Sequence, residues 1–153
     1  NERRLLAGTV ANEHLTASMA HDLLSHDDVL AGADPEIAEL WRWHAVEETE
    51  HKAVAFDVHE LVGGTVKERR HALVMSSLFF LKDTFRNARI MLKRDGQLWR
   101  WRTWRDGFQF LFGRPGTLRR IVPAWFSFLR RGFHPWQHDN SELVARYELA
   151  RKG

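Results

Sequence analysis

The sequence predicts an all-α protein. Apolar residues recur at the three- and four-residue spacing of helices through most of the 153-residue chain, and almost no stretch alternates with the two-residue period of a strand. Helix-starting residues and helix-ending glycines follow each other at intervals of one helix length. The hydrophobic content of 44% suits one globular chain with a moderate core, and the absence of cysteine excludes disulfides and thiolate metal sites.

Local signals place the helix boundaries. Asp34 is a good N-cap before Pro35, and Gly63-Gly64 ends the helix that starts there. Thr65 followed three residues later by Glu68 forms a capping box for the next helix. The predicted helices cover residues 2–24, 35–62, 66–94, 97–112, 117–131 and 141–152, with a loop over residues 25–34.

We divide the chain into two parts. Residues 1–94 form part of a helical bundle, and residues 95–153 form a basic, aromatic-rich helical extension packed on it. The apolar run 72–81 in the third helix is about half the length that a membrane span needs, so we expect a buried core helix there.

Charge is distributed unevenly between these parts. Residues 1–60 hold 13 Asp/Glu against 4 Lys/Arg, a net of −9, and residues 86–131 hold 12 Lys/Arg against 2 Asp/Glu, a net of +10. Tryptophan and phenylalanine are interleaved with the basic residues. We expect amphipathic helices that pack on the bundle, with peripheral membrane contact through residues 97–131 as an alternative. Nucleic-acid binding is a weaker alternative, because the sequence contains no nucleic-acid motif. We expect that the protein binds no nucleic acid.

A block of imidazole and carboxylate groups interrupts the apolar face of the second helix. His44, Glu48 and His51 fall within a wedge of roughly 60° on a helix. Burying such groups unpaired costs several kcal/mol each, and a metal ion is the simplest compensation. The apolar residues that continue this stripe are Ile37, Leu40, Trp41, Ala55, Val58 and Val62.

Glu13 on the first helix is the expected partner of this block. In an antiparallel pair, Glu13 lies roughly 18 Å from the connecting loop and Glu48 roughly 20 Å, at 1.5 Å per residue. The two carboxylates therefore arrive at the same height on facing helices. Glu47 and His59 are weaker candidates, either as ligands or as groups that orient a ligand.

A second His/Asp cluster, His134, His138 and Asp139, lies near the C-terminus. The four-residue spacing of its histidines would suit a metal on a helix, but Pro135 favours a loop. We therefore expect loop ordering, with Asp139 or Ser141 capping the last helix.

The combination of Glu13 with His44, Glu48 and His51 is half the ligand set of a carboxylate-bridged di-metal bundle of the ferritin-like kind, in which two helices each give a Glu and two give Glu-x-x-His. Carboxylate oxygens can bridge two cations and imidazoles complete each coordination sphere. The sequence predicts a partial ferritin-like bundle with two divalent ions, most readily iron, with manganese or zinc as alternatives.

The block 41–57 resembles the hallmark segment of a bacterial family of predicted metal-dependent hydrolases. Residues 132–140 resemble the C-terminal motif of that family, and Glu13-His14 matches the Glu-His of its preceding helix. The resemblance implies a metal site with ligands Glu13, His44, Glu48 and His51. The family in turn resembles di-iron N-oxygenases of the p-aminobenzoate type, which share this ligand arrangement.

Family members are about twice as long, and their N-terminal half supplies further carboxylate and histidine ligands. The resemblance therefore implies that this chain is a C-terminal half. Its site would be completed by a missing N-terminal half, which we prefer because the chain begins without methionine, or by a second copy in a homodimer.

We expect a cytoplasmic metal-dependent enzyme that acts on a small-molecule substrate, with hydrolysis implied by the resemblance. A di-iron oxygenase or oxidase is the alternative. A non-catalytic, membrane-surface or interaction module is the alternative from another class, and would make the protein membrane-associated.

Overall fold

The computed structural model describes residues 2–152, which are helical with no strand among them, as predicted. A 3-10 turn, Asp27–Leu30, separates the first two helices. A π turn, Gln109–Gly113, follows the fifth, and a 3-10 turn, Pro135–Gln137, precedes the last. The helices are α1 (Glu2–Ser25), α2 (Pro35–His51), α3 (Val54–Leu61), α4 (Val66–Arg94), α5 (Trp101–Phe108), α6 (Thr117–Phe128) and α7 (Ser141–Lys152).

The locally encoded boundaries are confirmed. The Asp34 side chain accepts hydrogen bonds from the amides of Glu36 and Ile37, with Pro35 following directly. Thr65 and Glu68 form both bonds of the capping box at the start of α4. These boundaries depend on residues within one helical turn of each other, so the sequence contains the whole signal.

The prediction of one helix over residues 35–62 is wrong. The chain breaks at Lys52-Ala53, between α2 and α3, where the sequence has neither glycine nor proline. Two tertiary contacts stabilise the break. The buried Lys52 side chain donates to the carbonyl oxygen of His138, and the Glu13 carboxylate accepts from the Ala55 amide in the first turn of α3, at 3.3 Å.

Helix α1 is the centre of the molecule and contacts α2, α3, α4 and α6. Its side chains Val10, Ala17, Ala20 and Leu24 are buried. The small residues allow close approach of the neighbouring helices, which brings polar groups of α1 and α2 into contact. The main core consists of Ala7, Val10, Ala11, Ala55, Phe56, Ala72, Leu73, Phe128 and Phe133.

The second half of α4 leaves this core. Ala72 and Leu73 are buried, but residues 78–81 are exposed, so the expected burial of the whole run 72–81 is wrong. Helix α5 also starts four residues later than predicted, at Trp101. Within residues 2–152, no helix combines the length and apolar character that crossing a bilayer requires.

Helix α6 returns the chain to the core. The buried Arg69 of α4 donates to the carbonyl oxygens of Phe128 and Arg130, and Arg70 donates to that of Leu129 at 2.6 Å. These guanidinium groups satisfy carbonyls at the C-terminal end of α6, which have no partner within the helix. The division of the chain at residues 94 and 95 stays a prediction.

Candidate metal centre and a buried polar pocket

The face of α2 that carries the candidate ligands is exposed. We predicted an apolar stripe packed against other helices, but Ile37, Leu40 and Trp41 are 50%, 54% and 50% exposed, and Val58 and Val62 are also exposed. The side of the helix that packs against α1 is the one with Ala38, Ala45, Val46 and Thr49. We call the exposed surface formed by Glu13, Ile37, Leu40, Trp41, His44, Glu48 and His51 the open face.

Two candidate ligands lie together on the open face. The Nε2 atom of His44 is 3.5 Å from Oε1 of Glu48, one turn further along α2. The other oxygen of Glu48 accepts a hydrogen bond of 2.6 Å from the Thr16 hydroxyl on α1. This bond fixes the orientation of the carboxylate and confirms that Glu48 faces α1 within one turn of Glu13.

Glu13 lies beside Glu48 and His51 and is partly buried. Burial raises the pKa of Glu13. The hydrogen bond from the Ala55 amide opposes this rise, the Glu48 carboxylate adds to it, and His51 opposes it. Partial burial and a neighbouring like charge both disfavour the ionised form of a carboxyl group. Glu13 also satisfies a free amide at the N-terminal end of α3.

The donors fit a divalent metal in type but not in number. Among residues 2–152, no three His, Asp or Glu side chains converge closely enough to hold an ion. His51 is exposed at the last residue of α2, and the partly buried Glu47 is on the same helix. The His44–Glu48 pair is the only direct contact between candidate ligands that the described residues show.

His59 lies elsewhere. It is buried at the junction of α3 and α4, against Gly64, where a Cβ atom would come within 2.2 Å of its ring. Burial lowers the pKa of His59. The other candidate ligands, His44 and His51, lie on an exposed surface, whereas His59 is buried. This difference in placement does not favour His59 as a ligand of the same metal.

A second polar cluster lies on the opposite side of the same two helices. His14, next to Glu13 in the sequence, is 6% exposed, and its ring stacks on Phe128 with centroids 4.4 Å apart. Its Nε2 atom is 3.0 Å from the carbonyl oxygen of Ala124, so this nitrogen carries the proton. Burial lowers the pKa of His14 to about 4, which keeps the ring neutral near pH 7.

Lys52, next to His51, points into this second cluster. Its Nζ atom lies 4.7 Å from the centre of the Trp136 ring as well as donating to His138. Burial lowers the pKa of Lys52, and Asp139 opposes the shift. Side chains from α1, α6 and the segment before α7 surround a pocket of about 120 Å³ here. We call it the polar pocket; its polar lining is His14, Ser18, His21, Asp22, His26, Lys52, Arg120, His138 and Asn140.

Asp22 is the acidic group of the polar pocket. Its Oδ1 atom lies 3.1 Å from Nδ1 of His26 and 3.5 Å from Nη1 of Arg120. Its Oδ2 atom is buried and has no hydrogen-bond partner among the described residues. Such a pocket is polar and large enough to hold water.

The C-terminal motif forms one wall of the polar pocket. His134 binds Asp57 of α3 through Nε2, at 2.9 Å, whereas Nε2 of His138 lies 2.8 Å from the hydroxyl of Ser127. The two histidines thus point to different partners. Asp139 accepts from the amide of Ser141 at 2.9 Å, which confirms that it orders the start of α7.

Sequence reasoning missed the polar pocket. Five of its nine polar residues lie within residues 14–26, but the other four, Lys52, Arg120, His138 and Asn140, come from distant parts of the chain. A usable signal was present in the adjacent pairs Glu13-His14 and His51-Lys52. On a helix, neighbouring residues point about 100° apart, so two polar neighbours imply polar groups on two faces.

The described residues are all-α and include imidazole and carboxylate side chains of the kinds that bind divalent metals, so the chain is classed as a helical protein with candidate metal ligands. The family described as "Predicted metal-dependent hydrolase" matches residues 1–139, and the chain belongs to this family. No curated protein gives a significant match, and neither does any solved structure.

Proposed function

We propose that this chain supplies one half of the metal centre of a metal-dependent hydrolase, with Glu13, His44, Glu48 and His51 as ligands. The observation that carries the proposal is the His44–Glu48 pair on the exposed face of α2, whose carboxylate is held by Thr16 of α1, one turn from Glu13. Membership of a family of predicted metal-dependent hydrolases supports the reaction class.

The chain's own residues would prepare the site. Thr16 holds the Glu48 carboxylate through one oxygen and leaves the other directed at His44. The Ala55 amide holds one oxygen of Glu13. A divalent ion bound here would act as a Lewis acid and lower the pKa of water for attack on a substrate. We propose that two such ions bind, most readily iron, with manganese or zinc as alternatives.

A further pair of helices would complete the site. The open face combines exposed apolar side chains with polar ligands, as a helix-bundle interior does when the facing helices are absent. The facing helices could belong to a longer form of this chain or to a second copy, and both would extend the predicted ferritin-like bundle. Either source would bury Ile37, Leu40 and Trp41 and add carboxylate or imidazole ligands.

Oxidation by a di-iron site is the second candidate, since the exposed Ile37, Leu40 and Trp41 would give the completed site an apolar lining. Hydrolysis needs no electrons, whereas reduced iron in an oxidase consumes oxygen. Oxygen uptake by the iron-loaded, reduced protein would therefore favour oxidation, and metal-dependent ester or amide cleavage without oxygen uptake would favour hydrolysis.

Metal titration tests the ligand assignment. We expect manganese, iron or zinc to bind the wild-type chain, and Glu48→Ala and His51→Ala to weaken binding by about tenfold or more each. Glu50→Ala and His71→Ala are matched controls, because both residues are exposed and outside the proposed ligand set. They should bind metal as the wild type does.

Two outcomes would contradict the proposal. The first is a folded wild-type chain that binds none of these metals, alone or as a dimer. The second is equal weakening by the ligand variants and by their controls. Repeating the titration on a longer form of the chain, and measuring its mass in solution, would identify the source of the facing helices.

A further inference from the structure

Residues 74–116 project from the core, and we refer to them as the arm. Of these residues only Leu98 and Gly116 are buried. The arm holds its shape through a few contacts of its own. Trp104 donates to the carbonyl oxygen of Leu98 at 2.8 Å, and its ring lies 5.8 Å from that of Phe85.

Large apolar side chains point from the arm into solvent. Trp99 is 91% exposed, Trp101 76% and Phe108 65%. On α5, Trp101, Trp104 and Phe108 fall within roughly 60° of one another, so they form one aromatic face. Monomeric soluble proteins rarely expose such contiguous apolar surface, and its presence indicates a binding surface.

The arm is also strongly basic. It carries 9 Lys/Arg against 3 Asp/Glu, a net of +6. Arg105 pairs with Asp106. Eight basic residues of the arm form no ion pair with any residue that the structure describes: Lys82, Arg86, Arg89, Lys93, Arg94, Arg100, Arg102 and Arg114.

We propose that the arm docks on the surface of a membrane that contains anionic phospholipids, with the aromatic face of α5 at the headgroup level. Tryptophan and phenylalanine with flanking arginine are the side chains that interfacial helices use. Unpaired guanidinium groups bind lipid phosphates, and clustered basic residues are attracted to anionic headgroups.

The charge distribution also orients the molecule. Residues 1–60 carry a net of −9 and residues 86–131 a net of +10. An anionic surface would repel the acidic helices α1 and α2 and attract the arm. The open face and the polar pocket would therefore lie away from the lipid, accessible from the aqueous side. This inference is independent of the metal-site proposal.

Vesicle co-sedimentation of the whole 153-residue chain tests the inference. We expect binding to vesicles of phosphatidylcholine with 30% phosphatidylserine, little binding to pure phosphatidylcholine, and release at high salt. Trp101→Ala with Phe108→Ala should weaken binding by about tenfold or more. Arg100→Gln with Arg102→Gln should weaken it by about fivefold for each arginine.

The matched control is Leu5→Ala with Leu61→Ala, which removes two exposed apolar side chains outside the arm and should leave vesicle binding unchanged. No binding to anionic vesicles would overturn the inference, as would equal losses in the arm and control variants. If sedimentation velocity shows instead a dimer that the arm variants dissociate, without vesicle binding, the arm is a contact between copies and the inference is wrong.

Discussion

The α1–α2 pair carries two polar clusters on opposite sides, and they differ in how far the chain itself satisfies them. On the open face, His44 and His51 are exposed, and Glu48 has one protein hydrogen bond and one histidine neighbour. In the polar pocket, His14 and Lys52 are buried and bound to main-chain carbonyl oxygens.

This difference separates the roles of the two clusters. Buried polar groups that are hydrogen-bonded within the chain contribute to its stability. Exposed groups held in a fixed position contribute little stability and are free to bind a ligand. In each of the adjacent pairs Glu13-His14 and His51-Lys52, the first residue lies on the open face and the second lines the polar pocket. Substituting each member of a pair in turn therefore tests the difference directly.

The largest expected effect is at His14. His14→Ala removes a buried ring stacked on Phe128 and the hydrogen bond to Ala124. We expect the free energy of unfolding to fall by about 3 kcal/mol. Urea denaturation followed by circular dichroism measures it. A loss below about 1 kcal/mol would mean that the polar pocket is not structural.

Lys52 and His51 give the second test. Lys52→Ala should lower the free energy of unfolding by about 2 kcal/mol, because it leaves the carbonyl oxygen of His138 without its donor and removes contact with Trp136. His51→Ala should change it by less than about 0.5 kcal/mol. The comparison fails if the two variants are equally unstable in the same denaturation experiment.

The pH dependence of stability gives the third test. The pKa of His14 is about 4 in the folded chain, against 6.5 for an ordinary histidine, so the unfolded chain binds more protons between these limits. The contribution of His14 to the free energy of unfolding is therefore fully present above pH 6.5. It falls as pH decreases toward 4, by about 1.4 kcal/mol per pH unit. Burial lowers the pKa of His59 and His138 in the same direction.

Denaturation midpoints measured from pH 7 to pH 4.5 check this slope. His14→Phe keeps an aromatic ring and removes the titration, so its slope should be smaller than that of the wild type. Equal slopes in the two proteins would show that His14 does not contribute.

The fourth test is at Glu13. Glu13→Ala removes the acceptor for the Ala55 amide and should cost about 1 kcal/mol, as loss of a helix cap does. Glu13→Gln retains a carbonyl acceptor and should cost less than half of that. Thermal unfolding of both variants distinguishes them, and equal costs would exclude capping by this side chain.

The parts of the fold that the sequence predicted are those encoded within a helical turn. Asp34 and the Thr65–Glu68 box fixed two helix starts, and each signal lies beside the amides that it satisfies. The break at Lys52-Ala53 was not predictable in this way, because the groups that stabilise it, Glu13 and His138, lie far away in the sequence.

The candidate site was predicted to a similar extent. Helical periodicity placed His44, Glu48 and His51 on one face, and chain length placed Glu48 opposite the turn that contains Glu13 and Thr16. Periodicity could not reveal that this face is exposed. An amphipathic pattern identifies the apolar side of a helix, but it does not show whether a partner covers that side within the same chain.

Paramagnetic broadening of the histidine ring signals by manganese tests the central claim most directly, because one titration reports on both clusters. The account predicts that the signals of His44 and His51 lose intensity at the lowest manganese-to-protein ratios, while those of His14 and His138 persist. Earlier broadening of His14 and His138, or no broadening of any histidine, would contradict a metal site on the open face.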